Sequence, residues 1–239
     1  MNPVLQHEKW LQLVTQAFEA ARLYHQHEVR GIENIPKTGG AIVAVNHSLA
    51  TYDITLLMTA MYTERGIIPR PLVDRLFFKV PVVGTIAANY FGAVKGSPEA
   101  AEQLLRDGEV ITVAPGGMRE ALRPSREKYK INWDHRIGFC KLAMKTQTPI
   151  ILAACPKADD LYDVYPSHLT AWFYQTYKIP VFVARGIGLS PLPRPIKLVH
   201  HCSEPMVPPP WTGNETQREK RLRDFHARIV ERMEELMQS

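Results

Sequence analysis

Two short stretches of the chain hold residues able to move a proton and to hold an anion. The first is Asn46-His47-Ser48-Leu49-Ala50-Thr51-Tyr52-Asp53. An aspartate that keeps one imidazole nitrogen protonated favours the imidazolium that forms when the other nitrogen takes a proton. A His47–Asp53 pair of this kind would activate a hydroxyl for attack on an acyl carbon. Taken alone, His47 is more often a loop hydrogen-bonding group. The second stretch is Pro115-Gly116-Gly117-Met118-Arg119-Glu120. Paired glycines let backbone N–H groups come close to a ligand, and an arginine grips phosphate with two parallel bonds. The plain alternative is a tight turn with a solvated arginine.

Both stretches must sit on elements that hold them. Ala41–Val45 is an apolar, β-branched run that reads as a buried strand ending at Asn46-His47. Asp53 can cap a helix from Ile54 to Glu64. Glu109–Ala114 reads as a second buried strand, running into Pro115-Gly116-Gly117. Further strands are expected at Ile67–Val73, Phe91–Lys95, Pro149–Ala154, Val181–Gly186 and Pro195–His201. Helices are expected near 75–89, 134–147, 167–178 and 214–237. Another begins where Ser97 caps, Pro98 takes the first turn and Gly108 ends it. Strands alternating with helices predict an α/β layered domain with a largely parallel central sheet flanked by helices. Sites on such sheets lie beyond the carboxyl ends of the strands, where both stretches fall.

Residues 1–28 are read as an N-terminal amphipathic helix and 29–239 as the main domain. Val4, Trp10, Leu11, Val14, Phe18 and Ala21 recur at helical spacing. That stripe either packs on the domain or lies on a bilayer with Trp10 and Phe18 dipping in.

Bulk properties limit the function classes. With 29 Lys+Arg against 24 Asp+Glu the net charge is +5. That suits anionic lipid or a polyphosphate cosubstrate. The basic residues are dispersed and no nucleic-acid motif is present, so nucleic acid is not expected as a partner. Cys140, Cys155 and Cys202 lack disulfide or zinc spacing, and the N-terminus lacks a signal peptide's layout. These point to a cytoplasmic setting. No apolar run reaches the ~18 residues of a membrane span; Val80–Val94 is broken by Pro81, Gly84, Asn89 and Gly92.

Other clusters carry less. His200-His201-Cys202 would point alternately to opposite strand faces and makes a poor chelate. Asp159, Asp160 and Asp163 read as a solvated turn. Trp172, Phe173, Tyr174 and Tyr177 read as core, or as lining for an acyl channel. No Gly-x-Ser-x-Gly elbow exists, which argues against a serine hydrolase.

Several blocks in order resemble the PlsC-type glycerolipid acyltransferases, the lysophosphatidate-acyltransferase-like family. They are the turn Gly31-Ile32-Glu33-Asn34-Ile35-Pro36, the Asn46-His47…Asp53 block, the Gly-rich Arg119 block, Pro149-Ile150-Ile151 and Ser203-Glu204-Pro205. Ala114–Leu122 and Arg136–Ala143 are similar to the diacylglycerol-acyltransferase-like branch, as is Asp160-Leu161-Tyr162. The chain departs from the family in three places. Five residues separate His47 from Asp53, one more than usual, so the loop bulges or Asp53 only caps a helix. Gly116 stands where the family has glutamate, with Glu120 nearby. Lys95 is the nearest cation to a missing arginine.

The resemblance implies an O-acyltransferase at a membrane surface. His47 would be general base, with Asp53 orienting it. Asn46, Lys95, Gly116, Gly117, Arg119 and Glu120 would serve the substrates. The donor would be acyl-CoA or acyl carrier protein and the acceptor a lipid hydroxyl, with no metal and no bound cofactor. A lipid-binding protein of the same fold and a thioesterase-like hydrolase are the alternatives.

Overall fold

The computed structural model describes residues 3–73, 88–89, 91–165 and 183–239. The expected helices near 75–89 and 167–178 and the aromatic run from Trp172 lie wholly or mostly outside the described residues.

A 3-10 turn, Pro3–Gln6, precedes helix α1, Glu8–Tyr24. The helix is shorter than its apolar stripe suggested. Gln26 takes a left-handed φ of 45°, and strand β1, Glu28–Arg30, follows at once. Residue 28 therefore belongs to the sheet, where Val29 pairs with His200. On α1, Phe18 and Ala21 lean against the buried Leu56–Cys155–Leu161 cluster, while Leu13 and Leu23 face solvent. Phe18 is thus a packing residue.

Strand β2, Ala41–Val45, is buried at every position. Helix α2 covers Tyr52–Arg65, starting two residues before the expected Ile54. Its N-cap is Thr51, so Asp53 lies inside the first turn and not at the cap. Short strands β3, Arg70–Val73, and β4, Val94–Lys95, precede helix α3, Pro98–Arg106. The Ser97 hydroxyl caps α3 by accepting from Ala100 N–H at 3.2 Å. Strand β5, Val110–Val113, then leads into the short helix α4, Gly117–Ala121. Helix α5, Gly138–Thr146, strand β6, Ile150–Ala154, and strand β7, Asp163–Tyr165, follow. Strands β8, Val183–Arg185, and β9, Val199–Cys202, precede the final helix α6, Glu215–Leu236. Asn214 and Gln217 close α6 with reciprocal side chain-to-backbone bonds.

Among the described residues, seven strands form the main sheet in the order β1-β9-β6-β2-β5-β3-β4. All neighbours are parallel except β6 and β9. This is the expected α/β architecture with a largely parallel sheet. A separate antiparallel pair, β7 and β8, replaces the solvated turn expected around Asp163. There Asp163 takes bonds from Arg194 and Arg185, and Asp160 from Lys128 and Tyr129.

Strand alternation sorts the core onto two faces. Ile42, Ala44, Ile150 and Leu152 pack with Trp133 and Phe139, and with Phe225, Ile229 and Met233 of α6. Val43, Val45, Ile151 and Ala153 pack with Ile54, Leu57 and Met61 of α2. Both faces exclude water from β2 and β6, which holds their carboxyl ends in fixed register.

Candidate active site

Asn46 and His47 leave β2 at that carboxyl edge, both buried. The Asn46 side chain accepts from Cys155 N–H at 2.8 Å and donates to Cys155 C=O at 3.2 Å. It ties the end of β2 to the end of β6, so its amide is engaged by backbone before any substrate arrives.

His47 Nδ1 lies 2.8 Å from the carbonyl oxygen of Ser48. A carbonyl only accepts, so Nδ1 carries the proton and Nε2 keeps its lone pair. That is the tautomer a general base needs. Burial pushes the ring's pKa below its usual value, opposed by the Ser48 carbonyl and helped by Arg123. The ring is therefore neutral near pH 7.

Asp53 was expected to orient His47 directly. It instead accepts the hydroxyl proton of Ser48. Ser48 stands between the two, its hydroxyl on Asp53 and its carbonyl on His47. The longer His47–Asp53 spacing is taken up as a bulge. Leu49–Thr51 makes a 3-10 turn in which Thr51 adopts a left-handed φ of 57°. A β-branched residue adopts that conformation only under local constraint. Asp53 is fully enclosed, and burial raises its pKa to about 7 against the pull of the Ser48 hydroxyl.

Glu120 explains the glycine at 116. Its carboxylate accepts from His47 N–H at 3.2 Å and from Asn132 N–H at 2.8 Å. A Cβ added at Gly116 would lie 2.0 Å from the Glu120 carboxyl carbon. The glycine makes room for Glu120, which crosses from α4 to brace the His47 loop. Burial raises the Glu120 pKa, and these hydrogen bonds and Arg123 pull it back. At Gly117, φ is 53° and an added Cβ would meet nothing within 4 Å, so the backbone is open there. Its N–H already donates to Ala114 C=O at 3.0 Å.

Arg119, next to Glu120 on α4, is exposed, as is Lys95 at the tip of β4 on the sheet's outer edge. Hydrogen bonds therefore join His47, Ser48, Asp53 and Glu120, Asn46 ties the same loop to the end of β6, and the Gly116 turn leaves room for Glu120. Arg119 and Lys95 lie outside this network, facing solvent.

Sequence reasoning missed three members. Ser48 was noted only for the absent hydrolase elbow. Arg123 is buried in a two-pronged pair with Asp159, at 2.9 and 2.7 Å, and also donates to Lys130 C=O. The two residues are far apart in the chain, and no local pattern links them. His200 faces Asp53 across 4.0 Å. Its alternation with the half-buried His201 was foreseen, but not its direction.

The family model described as Acyltransferase matches residues 26–155, more than half of the chain, and spans both site stretches. The chain belongs to this family, the PlsC-type glycerolipid acyltransferases. A human protein named "DGAT1/2-independent enzyme synthesizing storage lipids" is 30% identical over 216 residues. The match covers 87% of this chain and 64% of the human protein, so the chain spans somewhat under two thirds of that relative. A Mycobacterium leprae protein is 32% identical over 70% of this chain and 47% of its own length. Among solved structures, the 1-acyl-sn-glycerophosphate (LPA) acyltransferase PlsC of Thermotoga maritima superposes with a TM-score of 0.54. That likeness covers 93% of this chain and 79% of PlsC at 18% identity, and it establishes the fold.

Proposed function

We propose that this acyltransferase moves a fatty acyl group from a thioester, acyl-CoA or acyl carrier protein, onto a lipid hydroxyl. The observation that carries the reading is His47, with Nδ1 committed to the Ser48 carbonyl and Nε2 left basic. Nε2 takes the acceptor's hydroxyl proton as that oxygen attacks the thioester carbon. The C–S bond breaks, and the departing thiolate recovers the proton from Nε2. Asp53 supports the ring through Ser48, and Glu120 fixes the backbone that carries it. Asn46 fixes the same backbone from the other side. Arg119 and Lys95, exposed at the sheet's carboxyl edge, hold phosphate on the donor or the acceptor. The open backbone at Gly117 admits the polar part of a substrate. The acyl donor is a cosubstrate, and the mechanism calls for no metal or bound cofactor.

The acyl chain needs an apolar bed. Val4, Leu11 and Val14 from the N-terminal segment face Met58 and Tyr62 of α2 across an apolar cleft that also touches Pro69 and Phe91. The cleft runs along the helix that begins at the Asp53 turn. Exposed Leu13 and Leu23 on α1 support peripheral attachment to the cytoplasmic face of a membrane. No described helix is long and apolar enough to cross one. The acceptor is a glycerolipid, in keeping with the family.

A panel of acyl-CoAs and acyl carrier protein thioesters, with and without mono- and diacylglycerol and lysophosphatidate, tests this. Thiol release that requires an acceptor is the expected result. Release without any acceptor would replace the reading by a thioesterase. No release with any donor would leave a lipid-binding protein.

A further inference from the structure

Behind Asp53 lies a chain of polar side chains that runs to Arg22 of α1. Arg22 of α1 donates from Nε to His27 Nδ1 at 3.0 Å. His27 Nε2 lies 2.8 Å from His200 Nδ1. His200 Nε2 points at Asp53 Oδ2 across 4.0 Å, and neither atom has a hydrogen-bond partner among the described residues. Asp53 Oδ1 takes the Ser48 hydroxyl, and the Ser48 carbonyl takes the His47 Nδ1 proton. His27, His200 and Asp53 are all buried.

One fixed donor determines every proton in this row. Arginine does not deprotonate in a protein, so its Nε always donates and His27 Nδ1 must accept. Burial and the Arg22 charge lower the His27 pKa to about 3, and burial takes His200 well below its usual value. Both rings are neutral and carry one proton each. His27 holds its proton on Nε2 and gives that bond to His200 Nδ1. His200 is left with its own proton on Nε2, the atom aimed at Asp53.

We propose that His200, set by Arg22 and His27, is a positioning residue for the acyl transfer: it presents an N–H to Asp53 and holds that carboxylate charged and oriented toward Ser48 and His47. The proposal deepens the function above and rests on it. The unpartnered Oδ2 of Asp53 is the place such a donor would serve. Cys155 is a buried thiol at the end of β6, pushed well above its usual range, and Asp159 contributes like charge. The Ser48 hydroxyl and the backbone N–H groups of Asp53 and Ile54 oppose them, and the His200 N–H faces Oδ2, the oxygen without a hydrogen-bond partner among the described residues. Asp53, Cys155 and His200 also bring one ligand atom each within 4.8 Å, as a metal site would. A metal there would need the lone pair of His200 Nε2, which the row from Arg22 has filled with a proton.

Two measurements decide it. In the first, long-range proton–nitrogen correlation spectra of the 15N-histidine-labelled chain report the tautomers, assigned with His27→Gln and His200→Gln. Expected are protonated Nε2 and bare Nδ1 on both rings, unmoved by Zn²⁺. A bare Nε2 on His200, or one that shifts on adding Zn²⁺, overturns the proposal, whether or not the chain transfers acyl groups. The second compares turnover. His200→Leu removes the donor and lowers kcat by about 10-fold with KM unchanged, less than a close hydrogen bond to a charged group is worth, because the atoms stand 4.0 Å apart. His200→Gln keeps an N–H at the same depth and restores most of that loss. Equal losses in both variants, or a KM effect alone, overturn the positioning role. A wild type that transfers nothing would sink the proposed function while the spectra still judge the row.

Discussion

The two faces of the sheet are built from different materials. On the α6 face, Phe225, Ile229 and Met233 meet Ile42, Ile150 and Leu152 in an apolar layer. The buried titratable group that α6 adds there is His226. On the α2 face the apolar layer of Val43, Ile151 and Leu57 gives way, toward α1 and the carboxyl edge, to His25, His27, His47, Asp53 and His200. Each of those groups lost water on burial and must be hydrogen-bonded to be tolerated. One face supplies cohesion. The other spends part of that cohesion on holding protons in chosen places.

The comparison breaks first, and most heavily, on the apolar side. Phe225→Ala should cost about 3–5 kcal/mol of stability, the usual range for a buried phenylalanine. Urea unfolding measures that loss, and the transfer rate per folded molecule should stay at the wild-type value. Gly116→Ala should behave in the opposite way. The added methyl collides with Glu120, costing about 1–3 kcal/mol as overpacking does. Turnover should fall further than stability does, because the His47 backbone loses its brace.

Acid should separate the faces next. Burial lowers the pKa of His25, His27, His47 and His200 in the fold. Below pH ~6.5 the unfolded chain therefore binds protons that the folded chain refuses. Their contribution is present above that pH and is lost as pH falls toward the folded pKa values. Melting temperature should drop between pH 7 and 5, and His200→Gln should flatten the slope. The acid limb of kcat/KM should lie below the ordinary imidazole pKa, since the base is His47. Smallest is Arg119→Ala. It leaves stability within about 0.5 kcal/mol, as surface changes do, and raises KM for a phosphate-bearing substrate. Steady-state kinetics at matched ionic strength checks it.

The apolar side was largely legible in the sequence. Runs rich in apolar and β-branched residues announced β2, β5 and β6, and Ser97-Pro98 with Gly108 announced α3. The two- and three-residue strands β1, β4 and β7 were hidden or poorly bounded, because so short a segment shows no alternation to read. Their strand character comes from neighbours such as His200 opposite Val29. The chemical side was half legible. Residue type and position gave His47, Asp53 and Glu120. The order in which they connect was not readable, since the Ser48 carbonyl took the place expected for the Asp53 carboxylate. Gly116 was visible as a departure from the family block with Glu120 nearby, but only the structure shows that the Glu120 side chain occupies the space a Cβ at 116 would need. His27 and His200 meet through a pairing of the first and last strands that no local pattern announces.

The proposed acyl transfer stands on His47 as its base. The measurement that tests it most directly is acceptor-dependent thiol release by His47→Ala beside the wild type, with the melting temperature of each. Expected is a loss of about 10²- to 10⁴-fold in kcat, the usual worth of a positioned base, with little change in melting temperature. A variant that folds and still transfers acyl groups at the wild-type rate would contradict it.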